Sequence, residues 1–587
     1  EVAAEGSRLL VALQDAVAAG KVDELPSLLG CLAACCAHCT VPGAELQVAS
    51  LLLQPLPSIL TPAALCVETL ADPQSREVFR RSGAIRVLVA ALGSDSPDGV
   101  EAATAALNSL SVDDKCQAEM VALGALELLV SKLSVKAAEC LGQFALKEAY
   151  RIRLFKLGLV TALLKLIEAQ PAVGAVAALL NLCALDDCKA AVCRASGALR
   201  LLSSLLFGGS PLNQVAAMTL SSLAEKDSCA CALTDSNCDL ALLHCLSSDD
   251  GLLVAKSSEA LLKLTLVPVG RSVLWQEERL KQLLAPKRPE TQRQQLMILQ
   301  HLAEDAKGRR ALMKAGVLHF IRPLLDSSEA NEAAALAWNM SIEEVFAEDL
   351  CHAGGVPLLL AHAGHSYQAL GALLQMSLRN EEVIKQLYQQ DAVQLLLDLL
   401  QADAADAEEH RIALYGAKLL TSMALEMDNF EQAAWRSAPR ILALRLRSSD
   451  GELRAELCSC GWLLCADQVE AEAHCNSFAE AGGLWAICIM LAEEEGPTGP
   501  TEPALGILTA LCRNCSERQE SFLQMGGLEL LLPFLDRSSP QRIRHLAAKA
   551  LCAVLEDPNL RMRRLTELGV LEDFSEILAT FGEHQKI

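Results

Sequence analysis

A short unit of sequence recurs along this chain, and it restricts the folds that the chain can adopt. In residues 188–206 a short helical pattern is followed by a glycine and then by leucines at 199, 202, 205 and 206, which share one face of a second helix. Gly197 stands where the chain must turn between the two helices, and glycine takes a positive φ at no steric cost. Another apolar helix precedes this pair at 175–185. None of these helices could bury its apolar face alone, so copies of the unit must stack.

The corner of this unit can be followed through most of the sequence. Nine copies have glycine at the corner: Gly83, Gly124, Gly158, Gly197, Gly316, Gly355, Gly483, Gly527 and Gly569. Four degenerate copies have Asn237, Glu278, Asp391 and Ala438 there. Asparagine and aspartate tolerate left-handed backbone, whereas glutamate and alanine do not, so the corners at 278 and 438 are either built differently or lie elsewhere. The corners are about 40 residues apart on average, as in arrays of helical repeats.

The helix that ends each unit has a signature of its own. It stands as TAALNSLSVDD at 104–114, AALLNLCALDD at 177–187 and ALAWNMSIEE at 335–344. With the glycine corner, this pattern resembles armadillo repeats from roughly residue 45 to the end. The resemblance implies an all-α, right-handed α-α superhelix, an armadillo-type solenoid of about 13 three-helix repeats with N- and C-terminal caps. HEAT repeats are the close alternative, but a glycine between a short and a longer helix favours armadillo.

Three segments are expected on this basis. Residues 1–45 do not match the repeat and are interpreted as an N-terminal helical cap, residues 46–568 as the repeat array, and residues 569–587 as a C-terminal capping helix and tail. Caps are needed because the terminal repeats would otherwise expose an apolar face. We expect mostly helix, an elongated shape and no strand.

Composition limits the possible partners and the compartment. The net charge of −23 argues against nucleic-acid binding through a general basic surface and fits protein partners, including basic ones. No stretch is long and apolar enough to predict a transmembrane segment. Most of the 23 cysteines stand at alanine-like helix positions, which predicts reduced, buried thiols and a protein of the cytoplasm or nucleus, with the cytoplasm as the favoured location. The chain begins at Glu1 rather than Met, so the sequence does not exclude a targeting segment upstream of it.

A binding groove is implied by the armadillo resemblance. Third helices of that family line a concave groove, where an asparagine can clamp the backbone of an extended peptide. The residues interpreted as the partner-binding groove are Asn181, Lys263, His301, Asn339, Gln375, Tyr415, Lys418 and Ser422. Those from Lys263 to Lys418 would form a continuous polar floor, from which Asn181 is isolated, and the alternative is that they are ordinary solvent-exposed residues. The importin-α type of groove also has a tryptophan four residues before the asparagine, where Ala177 and Ala335 stand here.

Two other features are candidate sites. Cys31, Cys35, His38 and Cys39 offer thiolate and imidazole ligands for zinc near the N-terminus, but no second ligand pair lies nearby, and packing is the favoured interpretation. The acidic stretches 401–410 and 492–503 are interpreted as solvated loops, with docking of basic partners as the alternative. The sequence has no P-loop, G-x-S-x-G or H-E-x-x-H motif, so neither catalysis nor a cofactor is expected.

The function predicted from these observations is that of a scaffold or adaptor. It would bind partner proteins along the concave groove of the solenoid. One alternative is an importin-α-like nuclear transport receptor, and another is a structural component of a cilium or other cytoskeletal assembly. The fold does not choose among these partners.

Overall fold

The computed structural model describes most of the chain as helices. The described residues are 2–38, 41, 43–54, 57–285, 289–402, 406–426, 435–447, 451–466, 470–493, 501–572 and 574–577. The chain divides into two compact units, Glu1–Leu302 and Ala303–Ile587. Every regular element within the described ranges is a helix, so the expected all-α class is confirmed.

The first unit contains four opening helices and six triplets. The opening helices are α1 (Val2–Ala18), α2 (Leu25–Cys36), α3 (Ala44–Leu52) and α4 (Pro57–Leu70), with a 3-10 turn at Val22–Glu24. The triplets are α5 (Pro73–Ser82), α6 (Ala84–Leu92) and α7 (Pro97–Leu110); α8 (Asp114–Ala122), α9 (Ala125–Ser131) and α10 (Val135–Phe144); α11 (Glu148–Lys156), α12 (Leu159–Ala169) and α13 (Val173–Leu182); α14 (Asp186–Arg194), α15 (Ala198–Leu205) and α16 (Leu212–Ala224); α17 (Asp227–Asp235), α18 (Cys238–Cys245) and α19 (Gly251–Leu266); α20 (Pro268–Leu274), α21 (Glu277–Leu284) and α22 (Pro289–Leu302).

The second unit repeats the same order. Its helices are α23 (Ala306–Lys314), α24 (Val317–Leu324) and α25 (Ala330–Met340); α26 (Glu344–His352), α27 (Gly355–Ala361) and α28 (Tyr367–Ser377); α29 (Glu381–Gln389), α30 (Ala392–Gln401) and α31 (Ala407–Leu425); α32 (Ala438–Leu446) and α33 (Gly451–Cys465); α34 (Ala471–Glu480), α35 (Gly483–Glu493) and α36 (Thr501–Cys512); α37 (Ser516–Gln524), α38 (Gly527–Leu531) with a 3-10 turn at Leu532–Leu535, and α39 (Gln541–Val554); and α40 (Pro558–Glu567). Of the predicted C-terminal capping helix and tail, 569–587, residues 573 and 578–587 lie outside the described residues.

Stacking of the last helix of each triplet builds the core of each unit. In the first unit α4, α7, α10, α13, α16, α19 and α22 each pack on the next, and α2 packs on α4 in the same way. In the second unit α25, α28, α31, α33, α36 and α39 do so. We call these the third helices. Their buried positions are mainly leucine and alanine, which allow a close approach of neighbouring helices.

The corners between first and second helices largely follow the sequence prediction. Asn237 and Asp391 adopt left-handed backbone with φ of 54° and 53°, as their side chains permit. The corner predicted at Glu278 lies two residues earlier, because α21 begins at Glu277 after an extended Gln276. At the corner predicted at Ala438, α32 begins with Ala438 itself, and the preceding Ser437 has right-handed backbone with a φ of −83°. These two corners therefore do without a left-handed residue.

The predicted corners at Gly355, Gly483 and Gly527 are wrong by one residue. Positive φ falls on the preceding glycines, Gly354, Gly482 and Gly526, at 76°, 80° and 74°. The second glycine of each pair begins the next helix and is needed for another reason. A Cβ at Gly527 would stand 2.4 Å from the Phe522 ring, and Cβ atoms at Gly355 and Gly483 would meet Leu350 and Phe478 at 2.5 and 2.2 Å.

Within the described residues, no single helix is long and apolar enough to cross a bilayer. The consecutive helices α34 and α35 reach that length and composition only as a pair, and they are bent by 72° at their junction.

Candidate functional site

The predicted groove residues of the first unit are bonded to their own repeats. The Nδ2 atom of Asn181 on α13 donates to the carbonyl oxygen of Gly142 on α10 at 3.0 Å. On α22, the Nδ1 atom of His301 lies 3.0 Å from the hydroxyl of Thr265 on α19. Both side chains are half-buried between third helices. These polar groups therefore join neighbouring repeats.

Lys263 is the centre of an ionic network in the same unit. Its ammonium group donates to Glu225 at 2.9 Å, to Glu259 at 2.8 Å and to the hydroxyl of Ser221 at 3.0 Å. A lysine has three donors, and all three have partners within the chain. The hydrogen bond from Lys263 lowers the pKa of Glu259 to about 2, helped by Lys256 and opposed by partial burial. An incoming ligand would have to compete with these carboxylates for Lys263.

A cluster of aromatic rings lies on the third helices of the second unit. The ring centroids of Trp338 on α25 and Tyr415 on α31 are 5.1 Å apart, with their planes at 78°. Tyr367, at the start of α28, lies 5.9 Å from Tyr415 and 6.4 Å from Trp338. All three rings are half-buried, and the two contacts of Trp338 are edge-on, an arrangement that is favourable for aromatic pairs.

Two cations border these rings. The Arg411 guanidinium lies 5.2 Å from the centroid of Tyr367, and its Nη1 donates to the hydroxyl of that tyrosine at 3.3 Å. The Nζ of Lys418 lies 5.3 Å from the centroid of Tyr415 and 2.8 Å from Glu452 of α33. We call Trp338, Tyr367, Arg411, Tyr415 and Lys418 the aromatic patch. It combines apolar rings with positive charge on one surface.

A glycine allows the patch to form. A Cβ at Gly371, in the middle of α28, would stand 2.7 Å from the Trp338 indole. The missing side chain thus lets the ring lie against the backbone of the next third helix. Trp338, Tyr367 and Arg411 were not part of the groove predicted from the sequence. A glycine inside a helix lowers the stability of that helix by about 1 kcal/mol, so its presence there needs a packing reason. Gly371 was therefore the signal in the sequence for a close approach of another side chain.

The remaining predicted groove residues of the second unit differ in exposure. Asn339 on α25 and Gln375 on α28 are half-buried on third helices that carry the patch. Ser422, in contrast, is buried, and its hydroxyl lies 3.0 Å from that of Ser377. Ser422 thus belongs to the packing of α28 against α31 rather than to an open groove.

A second feature of this unit lies among α33, α34, α36 and α39. It is a cavity of about 700 Å³. Among its lining residues are Leu463 and Ala510, which take the place of polar groove residues in their repeats. Trp462 lies over Gly506, where a Cβ would be 2.4 Å from the indole. The contact of Trp338 with Gly371 therefore recurs farther along the unit.

Of the N-terminal candidates for a metal site, the structure describes Cys31, Cys35 and His38. Cys31 is exposed, and Cys35 is half-buried on α2, which His38 follows. No group of three or more His, Cys, Asp or Glu side chains that could hold a metal ion occurs among the described residues. The fourth candidate, Cys39, lies outside that part of the chain.

The acidic loops are described in part. Residues 403–405 and 494–500 lie outside the described ranges. Asp406 caps α31 by accepting hydrogen bonds from the backbone of Glu408 and Glu409, both at 2.9 Å. Glu493 pairs with Arg454 at 2.8 Å. At least these two carboxylates have a structural role.

Solved structures with the same kind of fold are known. One was determined in work on a phosphorylation switch that controls the interaction between cadherin and β-catenin. It is 16% identical in sequence, and the match covers 89% of this chain and 100% of that chain with a TM-score of 0.51. A designed armadillo repeat protein is 21% identical over 37% of this chain and 98% of its own, with a TM-score of 0.34. No family model matches the chain, and no curated protein matches it either. The helix triplets and the first similarity support an armadillo-like repeat fold.

Proposed function

We propose that this protein is a protein-interaction scaffold that binds an extended segment of a partner across its third helices. The observation that carries the proposal is the aromatic patch of the second unit. Tryptophan, tyrosine and arginine are the residues most enriched at the energetic centres of protein interfaces. The aromatic patch contains all three residue types, with its rings half-buried and Arg411 exposed to solvent.

The composition of the chain supports this interpretation. Only 4% of the residues are aromatic, and the repeats stack through leucine and alanine. Three mutually contacting rings are therefore not required for stacking. Rings lose little conformational entropy on binding, since each has only two rotatable side-chain bonds. The flanking Arg411 and Lys418 would add hydrogen bonds to a partner's carboxylate or carbonyl oxygens.

The importin-α-like alternative has less support. Ala177 and Ala335 stand where that type of groove has tryptophan, and the amide of Asn181 is bonded to Gly142. No observation on this chain favours the cytoskeletal or ciliary alternative over an adaptor. We place the scaffold in the cytoplasm, because its many buried thiols suit a reducing compartment.

Affinity purification with a matched pair of variants tests the proposal. The patch variant is Trp338→Ala with Tyr415→Ala. The control variant, Trp485→Ala with Phe207→Ala, also removes two aromatic side chains, which are 49% and 61% exposed elsewhere. Each protein is used as bait in an extract of the cells that make it, and captured proteins are identified by mass spectrometry. We expect the patch variant to lose partners that the wild type and the control retain.

A second variant, which changes the charges of the patch, keeps the test informative if the first patch variant does not fold. Arg411 is exposed and Lys418 is only partly buried, so Arg411→Gln with Lys418→Gln removes both charges without placing a new carboxylate beside Glu452. This variant should leave the fold intact, as circular dichroism can verify. This variant should lose the same partners. Capture of an unchanged set of proteins by both folded variants would refute the proposal.

A further inference from the structure

Two cysteines of the second unit form a pair that the proposed function does not use. Cys465 is the last residue of α33, and Cys475 lies within α34. Their side chains are hydrogen-bonded to each other, and the Sγ of Cys475 lies 3.8 Å from the backbone oxygen of Cys465. The pair therefore joins the third helix of one repeat to the first helix of the next. Thiols in mutual contact need only a small movement to form a disulfide.

The pair is reached from solvent through the cavity among α33, α34, α36 and α39, which we call the C-terminal cavity. Cys465 and Cys475 both line this cavity, although each residue is buried. Asn514 and Lys549 line it as well and are exposed, so the C-terminal cavity opens to solvent. A small neutral oxidant such as hydrogen peroxide can therefore reach the two sulfur atoms.

A buried guanidinium lies beside the pair. Arg518 of α37 donates to Asn476 at 2.6 Å and to the carboxylate of Glu472 at 3.0 Å, and both acceptors are on the helix that carries Cys475. The hydrogen bond from Cys465 lowers the pKa of Cys475 against the effect of burial, and the charge of Arg518 lowers it further. The same hydrogen bond raises the pKa of Cys465. Since the thiolate is the reactive form, Cys475 is the nucleophile of the pair.

Other thiols of the chain have the opposite electrostatics. Burial raises the pKa of Cys140 to about 12 and that of Cys488 to about 11. Cys193 of α14 and Cys229 of α17 are also hydrogen-bonded to each other, but burial raises the pKa of Cys193. Thiols of this kind are unreactive near neutral pH. The pair in the first unit therefore provides a comparison in which two thiols are in contact without an activated nucleophile.

We propose that Cys465 and Cys475 are a redox-active dithiol that hydrogen peroxide oxidises to a disulfide within the chain. The Cys475 thiolate attacks one oxygen of the peroxide, the O–O bond breaks, and the departing hydroxide takes up the proton that Cys475 had given up, which leaves a sulfenic acid and water. The sulfur of Cys465 then attacks the sulfur of Cys475. The S–S bond forms, the S–O bond breaks, and the hydroxyl group leaves with the proton of Cys465 as a second water.

Two electrons pass from the two thiols to the peroxide, and a dithiol reductant returns them by thiol–disulfide exchange. The disulfide would fasten α33 to α34 on the wall of the C-terminal cavity. In a reducing compartment the few disulfides that form are mostly transient and catalytic or redox-sensing, and this one would be of the redox-sensing kind. This chemistry does not depend on a bound partner and so goes beyond the proposed function.

Differential alkylation of the full chain tests the proposal. Reduced protein, freed of reductant, is treated with hydrogen peroxide for increasing times, and free thiols are blocked with iodoacetamide in urea. Disulfides are then reduced, labelled with N-ethylmaleimide and located by mass spectrometry. We expect Cys465 and Cys475 to gain the maleimide label together, about ten-fold or more faster than Cys193 and Cys229. Dithiothreitol added before the alkylation should abolish the label.

Peptide mapping without reduction identifies the linked residues. Asp467, Glu470 and Glu472 stand between the two cysteines, so a protease that cleaves at acidic residues separates them. The disulfide should then appear as two linked peptides that dithiothreitol releases.

Single variants assign the two roles. In Cys465→Ser the second thiol is missing, so peroxide should leave Cys475 as a sulfenic acid that dimedone traps. In Cys475→Ser, Cys465 should stay reduced. Cys193→Ser is the control and should form the disulfide between Cys465 and Cys475 at the rate of the wild type. Circular dichroism checks that the variants are folded, and the mapping of the wild type does not depend on them.

Several results would overturn the proposal. One is a wild-type chain in which Cys465 and Cys475 stay reduced while the same peroxide oxidises Cys31, which is exposed. Another is a disulfide between Cys475 and any other cysteine, or an oxidised product that dithiothreitol does not reverse. Equal rates of oxidation for this pair and for Cys193 with Cys229 would also contradict it, because contact between thiols alone would then explain the reaction.

Discussion

The side-chain amide of Asn181 donates a hydrogen bond to the backbone carbonyl of Gly142, 3.0 Å away on the preceding third helix. The two helices approach closely there, since a Cβ at Gly142 would lie 3.4 Å from the Cα of Ala178. One repeat later, Ser222 donates to the carbonyl of Cys183 at 3.3 Å in the same direction. These side chains therefore satisfy a carbonyl at the interface between repeats, and they contribute to stacking.

Replacing Asn181 should destabilise the first unit. In Asn181→Ala the carbonyl of Gly142, a buried residue, loses its donor, so the free energy of unfolding should fall by about 1 kcal/mol. Asn181→Asp should lose as much, because a carboxylate cannot donate. Urea denaturation followed by circular dichroism measures the change. An unchanged midpoint in both variants would mean that the hydrogen bond contributes nothing to stacking.

The fold could be predicted from the sequence because its signals are local. A corner glycine and leucines at helical spacing depend on a few consecutive residues, and Asn237 and Asp391 could be recognised by their tolerance of left-handed backbone. The exposure of Ser422 could not be predicted in this way. Successive residues of a helix point about 100° apart, so a shift of one residue in the register of α31 moves a side chain from the groove to the core.

The candidate site was less predictable than the fold. The aromatic patch depends on contacts between residues about 30 to 80 positions apart in sequence, such as Trp338 with Tyr415. Likewise, in each Gly-Gly corner the order of the two roles follows from a ring or leucine earlier in the first helix. Both kinds of contact are set by packing, although those of the aromatic patch join distant residues and those of the corners join residues five positions apart.

The two glycines of one corner should respond differently to the same substitution. Gly526 has a φ of 74°, and a Cβ there would meet only the Glu529 carboxylate, at an ordinary contact distance of 3.8 Å. Asparagine tolerates that backbone, so Gly526→Asn should cost little stability. Gly527→Asn would place a Cβ 2.4 Å from the Phe522 ring. That overlap should lower the free energy of unfolding by about 2 kcal/mol or more.

Thermal melts of the two variants, compared with the wild type, measure this difference. Gly527→Asn with Phe522→Leu provides a control, because a smaller side chain at 522 should relieve part of the overlap. Equal melting temperatures for Gly526→Asn and Gly527→Asn would contradict the assignment of distinct roles.

The Lys263 network should make the first unit sensitive to acid. The pKa of Glu259 is lowered from 4.5 to about 2 by its hydrogen bond from Lys263, against a smaller opposing effect of burial. A carboxyl group with a lowered pKa stabilises the fold above its unfolded pKa, and this contribution is lost as the pH falls through about 4.5 towards about 2. Glu259→Gln should therefore reduce stability at about pH 6 and much less at about pH 3.

Denaturation of wild type and variant at both pH values gives the comparison. Glu148→Gln serves as the control, since Glu148 is an exposed carboxylate on α11. It should change stability little at either pH. A Glu259→Gln variant with the same loss at both pH values would show that the carboxylate charge is not what stabilises the network.

Tyr388 links a buried indole to the backbone of the second unit. The indole nitrogen of Trp435, which is fully buried, donates to the Tyr388 hydroxyl at 3.1 Å. That hydroxyl donates in turn to the carbonyl oxygen of Met423 at 3.0 Å. One oxygen atom therefore satisfies both a buried donor and a backbone acceptor.

Removing this oxygen should be costly, although the ring would remain. In Tyr388→Phe both groups lose their partner, which should lower the free energy of unfolding by about 2 kcal/mol. Tyr150→Phe is the control, because the ring of Tyr150 packs on Phe144 in the first unit at 5.7 Å between centroids and is only half-buried.

Burial also raises the pKa of Tyr388 to about 12, so this hydroxyl should ionise at a higher pH than an exposed tyrosine. Tyrosinate absorbance should then show a late component in the wild type that is missing in Tyr388→Phe. A wild-type titration without that component, together with an unchanged stability of the variant, would contradict the hydrogen-bonded arrangement of Trp435, Tyr388 and Met423.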